Sequence, residues 1–189
     1  MSVYDLPTSA VIGDCEYQIN SDWRAAIDII EVMQDQEIED EERTLVVLSV
    51  FYQEFENMPV KLFQEAINYV YWFIGGGGTD DDKAPKAEKL KLMDWHQDLP
   101  IIIAPVNRVL GFEVRACEYL HWWSFLSAYY EMGGDCLFAQ VVSIRKKLAQ
   151  GKKLDKTDQA FYRENRDIID LKQQDLSADE EELLNQWIK

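Results

Sequence analysis

Histidine, cysteine and basic residues are all scarce in this chain. Its 2 histidines, His96 and His121, have no second histidine one helical turn away. A zinc site built on paired imidazoles is therefore not expected. The 3 cysteines are Cys15, Cys117 and Cys136. An odd count at wide spacing argues against a disulfide framework and predicts reduced thiols, as in a cytoplasm. Lys and Arg number 19 against 35 acidic residues, a net charge of −16. Phosphate contacts need clustered cations, so nucleic acid is not expected as a partner. No apolar run approaches the ~20 residues of a membrane span, and no charged-then-apolar leader opens the chain.

Catalytic motifs are missing too. Gly-x-Ser-x-Gly, Walker and dinucleotide fingerprints do not occur, nor does EF-hand spacing. The run Gly75-Gly-Gly-Gly78 lacks the Gly-Lys-Ser/Thr ending of a phosphate loop. It is followed by Asp80, Asp81 and Asp82, which would repel phosphate. Cys117 and His121 lie one helical turn apart, but nothing nearby completes an oriented triad. We expect no enzyme and no cofactor.

What is present is acidity, unevenly placed. Residues 1–82 carry 18 acidic and 3 basic side chains, a net of −15; residues 83–189 carry 17 and 16, a net of −1. An acidic half keeps a protein soluble. It also suits a docking surface for a basic segment of another protein. Apolar residues make up 47% of the chain and aromatics 12%, enough to fill a sizeable core. The length of 189 residues suits one domain, or one with a small lobe.

Periodicity predicts a mainly α fold: a multi-helix orthogonal bundle with one small N-terminal β-hairpin. The hairpin spans Val11–Ile19 around Gly13-Asp14. Asn20 or Ser21 then caps a helix with Trp23, Ala26, Ile27, Ile30 and Met33 or Gln34 on one face. A second helix is predicted over 41–54, with Leu45, Leu48, Tyr52 and Phe55 facing one way, Val47 and Phe51 beside them, and acidic residues in its first turn. A third runs from Pro59 to Ile74, with Leu62, Phe63, Ala66, Val70 and Phe73 inward, and Gly75 ends it. Residues 1–74 thus form an acidic lobe, 75–89 a flexible Gly/Asp linker and 90–189 a C-terminal helical lobe. In that lobe a helix starts near Pro100, and Pro105 kinks it or begins a new turn. Another helix has Leu137, Val141, Ile144 and Leu148 inward. A further one starts near Asp155 or Thr157 and runs past Ile169. Ser177-Ala-Asp-Glu180 is a capping box for a terminal helix.

The stretch Leu120–Met132 is predicted as a central helix. It contains no Gly, Pro or β-branched residue and is apolar over most of its circumference, which predicts burial on all sides. Arg145, further on, is expected to pair with Glu118 or Glu131.

Four stretches carry a resemblance. Ile19-Asn-Ser-Asp-Trp-Arg24 is similar to an Ile-x-Thr-Asp-Phe-Arg opening. Asp98-Leu-Pro-Ile-Ile-Ile-Ala-Pro-Val-Asn-Arg-Val-Leu-Gly-Phe-Glu-Val114 resembles Asp-x-x-Ile-x-Ala-Phe-x-x-x-Tyr-Gly-Ile-Asp-Leu. Tyr119-Leu-His-Trp-Trp-Ser-Phe125 resembles a Leu-His-Trp-Trp-Lys-Phe core, and Val142-Ser-Ile-Arg145 the Ile-x-x-Ile-Arg after it. In this order they resemble the bacteriophage gene product fifteen family of tailed phages and prophages of Gram-positive bacteria. Pro105 stands where that pattern has an aromatic, and Ser124 where it has Lys.

Members of that family are encoded in the tail morphogenesis region, close to the tape measure gene. The resemblance therefore implies a non-enzymatic tail assembly protein. It implies a chaperone that binds the tape measure protein in the host bacterial cytoplasm and is absent from the mature virion. The alternative is a structural virion component, a tail or neck connector subunit. Expected partners are the tape measure protein, a second copy of the chain or a second tail assembly chaperone, with no nucleic acid and no membrane. Two groups of side chains are candidates for partner binding. Tyr69, Tyr71 and Trp72 exceed what one inward stripe of the third helix needs. Leu183, Leu184, Trp187 and Ile188 share one side of the terminal helix. Core packing is the competing role for each group.

Overall fold

The hairpin forms where Gly13 and Asp14 interrupt two short alternating runs. Strands β1 (Ser9–Ile12) and β2 (Cys15–Gln18) pair antiparallel, with Ser9 opposite Gln18 and Ile12 opposite Cys15. Gly13 adopts a left-handed φ of 60°, which costs a glycine little. Ala10, Ile12 and Tyr17 face inward. The computed structural model describes residues 5–35, 37–78 and 91–172. These fall into two compact units, one within Met1–Lys89 and Leu99–Cys136, the other within Leu90–Asp98 and Leu137–Lys189. Eight α-helices and this one hairpin are the regular elements of the described residues. The fold is mainly α, as the periodicity predicts.

In the first unit, helix α1 (Trp23–Gln34) is capped by Asp22, whose side chain accepts from the Arg24 N–H. The cap is therefore one residue beyond the predicted Asn20 or Ser21. Its buried face is Trp23, Ala25, Ala26, Ile27 and Ile29. Helix α2 (Asp40–Phe51) stops three residues short of the predicted Glu54. Tyr52 turns extended and bridges Ile19, Asn20 N–H donates to Phe51 O, and Gln53 N–H donates to Gln18 O. Pairing with the end of the hairpin takes the chain out of the helix. Val47, Leu48 and Phe51 are buried on α2, while Leu45, predicted inward, is 45% exposed.

A short 3-10 turn (Val60–Leu62) precedes α3 (Phe63–Ile74), so the α-helix begins later than Pro59. Ala66, Ile67, Val70 and Phe73 are its buried residues. Phe51 lies between Tyr52 and Phe73, with ring centroids 4.9 and 5.1 Å away. The Tyr52 hydroxyl donates to Ala66 O at 3.0 Å. Burial pushes its pKa well above the usual tyrosine value, so it stays a donor at neutral pH.

Helix α4 (Trp95–Leu110) starts five residues before Pro100 and includes both Pro100 and Pro105. Asp94 sets that start, because its carboxylate accepts from Gln97 N–H and its own N–H donates to the Asp98 carboxylate. Helix α5 (Trp122–Tyr130) buries Trp122, Phe125, Leu126 and Ala128. Tyr130, in contrast, is 72% exposed. The predicted all-round burial is wrong: α5 has one inward face, stacked on α1 through Trp23 and Phe125 with centroids 4.7 Å apart.

In the second unit, α6 (Leu137–Ala149) buries Phe138, Val141, Ile144 and Arg145. Leu137 and Leu148, predicted inward, are exposed. The predicted helix beyond Asp155 breaks at Asn165 into α7 (Lys156–Glu164) and α8 (Arg166–Ile169). The Asn165 side chain donates to Phe161 O, and its backbone leaves helical geometry at φ −126°.

Candidate functional site

The four stretches that carry the resemblance meet in two pairs. The first pair joins the starts of α1 and α5. Trp23 N–H donates to Leu120 O, and Trp122 N–H donates to Ser21 O, at 2.9 and 2.8 Å. One carboxylate oxygen of Asp22 caps α1, and the other accepts from Leu120 N–H. The Arg24 guanidinium ion-pairs with Asp22 and donates to Cys117 O at 2.8 Å. His121 mirrors Asp22. Its Nδ1 accepts from Trp123 N–H at 3.0 Å and caps α5. A backbone N–H only donates, so Nδ1 must be unprotonated and Nε2 must carry the proton. Nε2–H donates to Pro7 O at 3.0 Å. Burial pulls the imidazole pKa down, against the opposing bond to Pro7. His121 is therefore a neutral helix cap. The first stretch and the Trp-Trp stretch form one joint.

The second pair meets through Asp98 and Arg145, both in the second unit. Arg145 and Asp98 form a buried bidentate ion pair, at 2.6 and 2.8 Å, with side chains only 4% and 1% exposed. The other donors of Arg145 reach Ile169 O, Leu92 O and Ile168 O. All five guanidinium N–H groups thus have acceptors. Asp98 also accepts from Asp94 N–H. The expected partners Glu118 and Glu131 are not the ones used. The true partner lies 47 residues upstream, a distance helical spacing does not reveal.

Trp122 and Trp123 have a further task. Their indole N–H groups donate to Ile74 O at 3.0 Å and Phe73 O at 2.8 Å. These are the last carbonyls of α3, which helical bonding leaves without partners. The glycines after α3 complete its end. Gly76 N–H donates to Phe73 O and Gly77 N–H to Trp72 O, with Gly76 at φ 80°, a Schellman arrangement. A Cβ on Gly77 would lie 2.6 Å from the Trp123 ring. Gly75–Gly77 therefore form a helix terminus fitted to tryptophan.

Of the two groups of side chains predicted to bind a partner, the one on α3 lies within the described residues. The predicted triad there separates. The Tyr69 hydroxyl donates to Ser9 O at 3.2 Å, and its ring packs on Trp72 at 5.0 Å. Trp72 packs edge-on to Trp123 at 5.3 Å. Only Tyr71 points outward, at 58% exposure. Tyr71 sits beside a half-open pocket of about 250 Å³ between α1, α2 and α3. Met33, Val47 and Ile67 give it an apolar floor, and Asp40, Arg43 and Thr44 a polar wall. Sequence periodicity puts Met33 or Gln34 on an inward face and Val47 beside one, without showing that they stop short of filling the space. Leu183, Leu184, Trp187 and Ile188 lie outside the described residues. Among the described residues no helix is long and apolar enough to cross a membrane, and no cluster of metal-ligating side chains is found.

Comparison with protein families gives a match to the model described as Bacteriophage Gp15 protein, over residues 3–171. No curated protein and no solved structure matches the chain.

Proposed function

The chain belongs to the bacteriophage Gp15 protein family, and from that premise we propose that it is a tail assembly chaperone that binds the tape measure protein. It acts by binding and has no turnover. A tape measure is a very long, largely helical polypeptide with exposed apolar stripes, and such a chain aggregates unless it is covered before the tail tube closes around it. A small helical protein covers stripes of this kind through an apolar recess. The observation that carries the reading is the pocket beside Tyr71, where Met33, Val47, Ile67 and the Tyr71 ring leave some apolar surface open in the strongly acidic half of the chain. The acidic half keeps the complex soluble. The protein works in the host cytoplasm and departs before the virion is complete.

Co-expression with the tape measure protein encoded beside it tests the reading. The tape measure is expected to be soluble, and to co-purify, only when this chain is present. Mass spectrometry of purified virions should not find the chain. A tape measure that stays soluble alone sinks the chaperone reading. Stoichiometric presence in particles favours a tail or neck connector subunit instead.

A further inference from the structure

We propose that residues 173–189 of this chain dock on the lysine-rich surface where α6 ends and α7 begins. Residues 146–156 hold 5 lysines and 1 acidic side chain, a net of +4, in a chain of net −16. Of the five, Lys147 has an ion-pair partner among the described residues, Asp158 at 2.6 Å. Lys146, Lys152, Lys153 and Lys156 are exposed. The dipole of α6 accounts for cations in its last turn. It does not account for Lys156, the first residue of α7, which sits at the positive end of that helix.

Apolar surface lies open beside these cations. Leu148 continues the buried stripe of Val141, Ile144 and Arg145 along α6, yet it is 41% exposed. Gly151 N–H donates to Leu148 O and Lys152 N–H to Lys147 O, which folds the lysine loop back onto that end of the helix. The Lys147–Asp158 pair brings the first turn of α7 to the same place. Helix α7 buries none of its 9 residues, and its aromatics Phe161 and Tyr162 are half-buried. Helices shorter than about 12–15 residues are marginal in water without packing, so α7 calls for a cover.

Residues 173–189 match this surface in charge and composition. They carry 5 acidic and 1 basic side chain, a net of −4, with Leu183, Leu184, Trp187 and Ile188 beside the acidic run Asp179–Glu182. The chain before them leads to the same place. Ile169 O accepts from Arg145 Nε–H at 2.7 Å, and Lys172 N–H donates to the Gln97 side chain at 3.0 Å. Arg145 lies one turn before Leu148 on α6. The stretch 173–182 spans up to ~33 Å when extended, enough to bring its acids to the lysines. The tether gives these residues an effective concentration of roughly millimolar order, which a free acidic partner has to exceed. Nucleic acid and an anionic membrane suit the lysines but meet the repulsion of a chain of net −16. A second copy offers the same segment without the tether. Leu183 and Leu184, expected to bind a partner, are then taken up within the chain.

Charge reversal in the full chain tests this, read by hydrogen exchange of the last turn of α6 and of α7. Lys152→Glu with Lys153→Glu should speed exchange there at least about fivefold, and Glu181→Lys with Glu182→Lys should do the same. All four changes together should bring exchange back toward the parent rate. Leu183→Ser with Leu184→Ser, which leaves the lysine loop intact, should also speed it. Lys61→Glu, at an exposed site in the other unit, should leave it unchanged. Circular dichroism checks that each variant is folded. Zero-length carbodiimide coupling, run on an equal mixture of 14N- and 15N-labelled chains, should join Lys152, Lys153 or Lys156 to the run 179–182 within single chains. Exchange that the substitutions at 181–184 do not alter overturns the proposal. So does a fourfold variant that exchanges as fast as either double reversal. Couplings that join 14N to 15N chains overturn it in favour of a second copy.

Discussion

A single imidazole carries two connections in this fold. His121 caps α5 through Nδ1 and holds Pro7 through Nε2–H. Protonation puts a hydrogen on Nδ1 and ends the cap. Burial holds the folded-state pKa below the ordinary imidazole value, which is about 6.5. The unfolded chain therefore binds the proton first as pH falls. Stability from His121 is complete above about pH 6.5 and declines as pH drops from there toward the lower folded-state value. Asp22, which bridges His121 through the backbone, is paired with Arg24. His121→Asn retains a short cap acceptor without a titrating ring. Urea midpoints measured at several values between pH 7.5 and 5 should fall for the parent and fall less steeply for His121→Asn. Parallel slopes would show that His121 does not titrate as described.

The Trp-Trp pair explains itself only at the level of elements. From the sequence it reads as a core helix, and α5 does exist where the spacing places it. The second function of the pair, closing the end of α3, is not legible, because it depends on carbonyls nearly 50 residues away. Helix ends and inward charges escape the spacing for the same reason. Phe51 ends α2 because Tyr52 and Gln53 pair with the end of the hairpin, and Arg145 turns inward because Asp98 is waiting there. Periodicity reports which side is apolar, and it is blind to hydrogen bonds between distant elements. The capping role makes a distinction between tryptophans. Trp23 Nε1–H is buried with no acceptor among the described residues, whereas Trp122 Nε1–H holds Ile74 O. Trp122→Phe should cost about 1 kcal/mol more than loss of ring area alone, because the part-buried Ile74 carbonyl loses its donor. Trp23→Phe lacks that added cost. Gly77→Ala should destabilise α3 at the same end, by strain at φ 77° and by collision with Trp123. Hydrogen exchange of the last turn of α3 reads both changes. Protection there that is unaltered in Trp122→Phe would rule the indole bond out as a cap.

Across the whole molecule, the residues that mark the family and the surface proposed to bind are different residues. Asp22, His121, Asp98 and Arg145 join elements, and each is at least partly buried. Tyr71, Asp40 and Glu41 lie on the surface, and their side chains serve no joint between elements. The first set is legible as a resemblance, because joints restrict residue type strongly. The second is legible only as excess aromatic and acidic composition, because a docking surface has no fixed spacing within one chain. The two sets should therefore separate in experiment. Arg145→Met leaves the Asp98 carboxylate buried without its cation and takes a donor from Leu92 O, Ile168 O and Ile169 O, of which Ile168 O keeps Gln97 Nε2–H. It should cost about 3–5 kcal/mol, seen as a lower urea midpoint. At a temperature where that variant is still folded, it should keep the tape measure protein soluble as the parent does, since Arg145 lies in the other compact unit from the pocket. Tyr71→Asp should change stability by no more than about 0.5 kcal/mol, as expected of an exposed position, and lose the tape measure. Measuring both quantities on both variants gives a crossed pattern if joints and docking surface are distinct. If Arg145→Met loses the tape measure while folded, or Tyr71→Asp unfolds as readily as Arg145→Met, the division between the two sets is wrong.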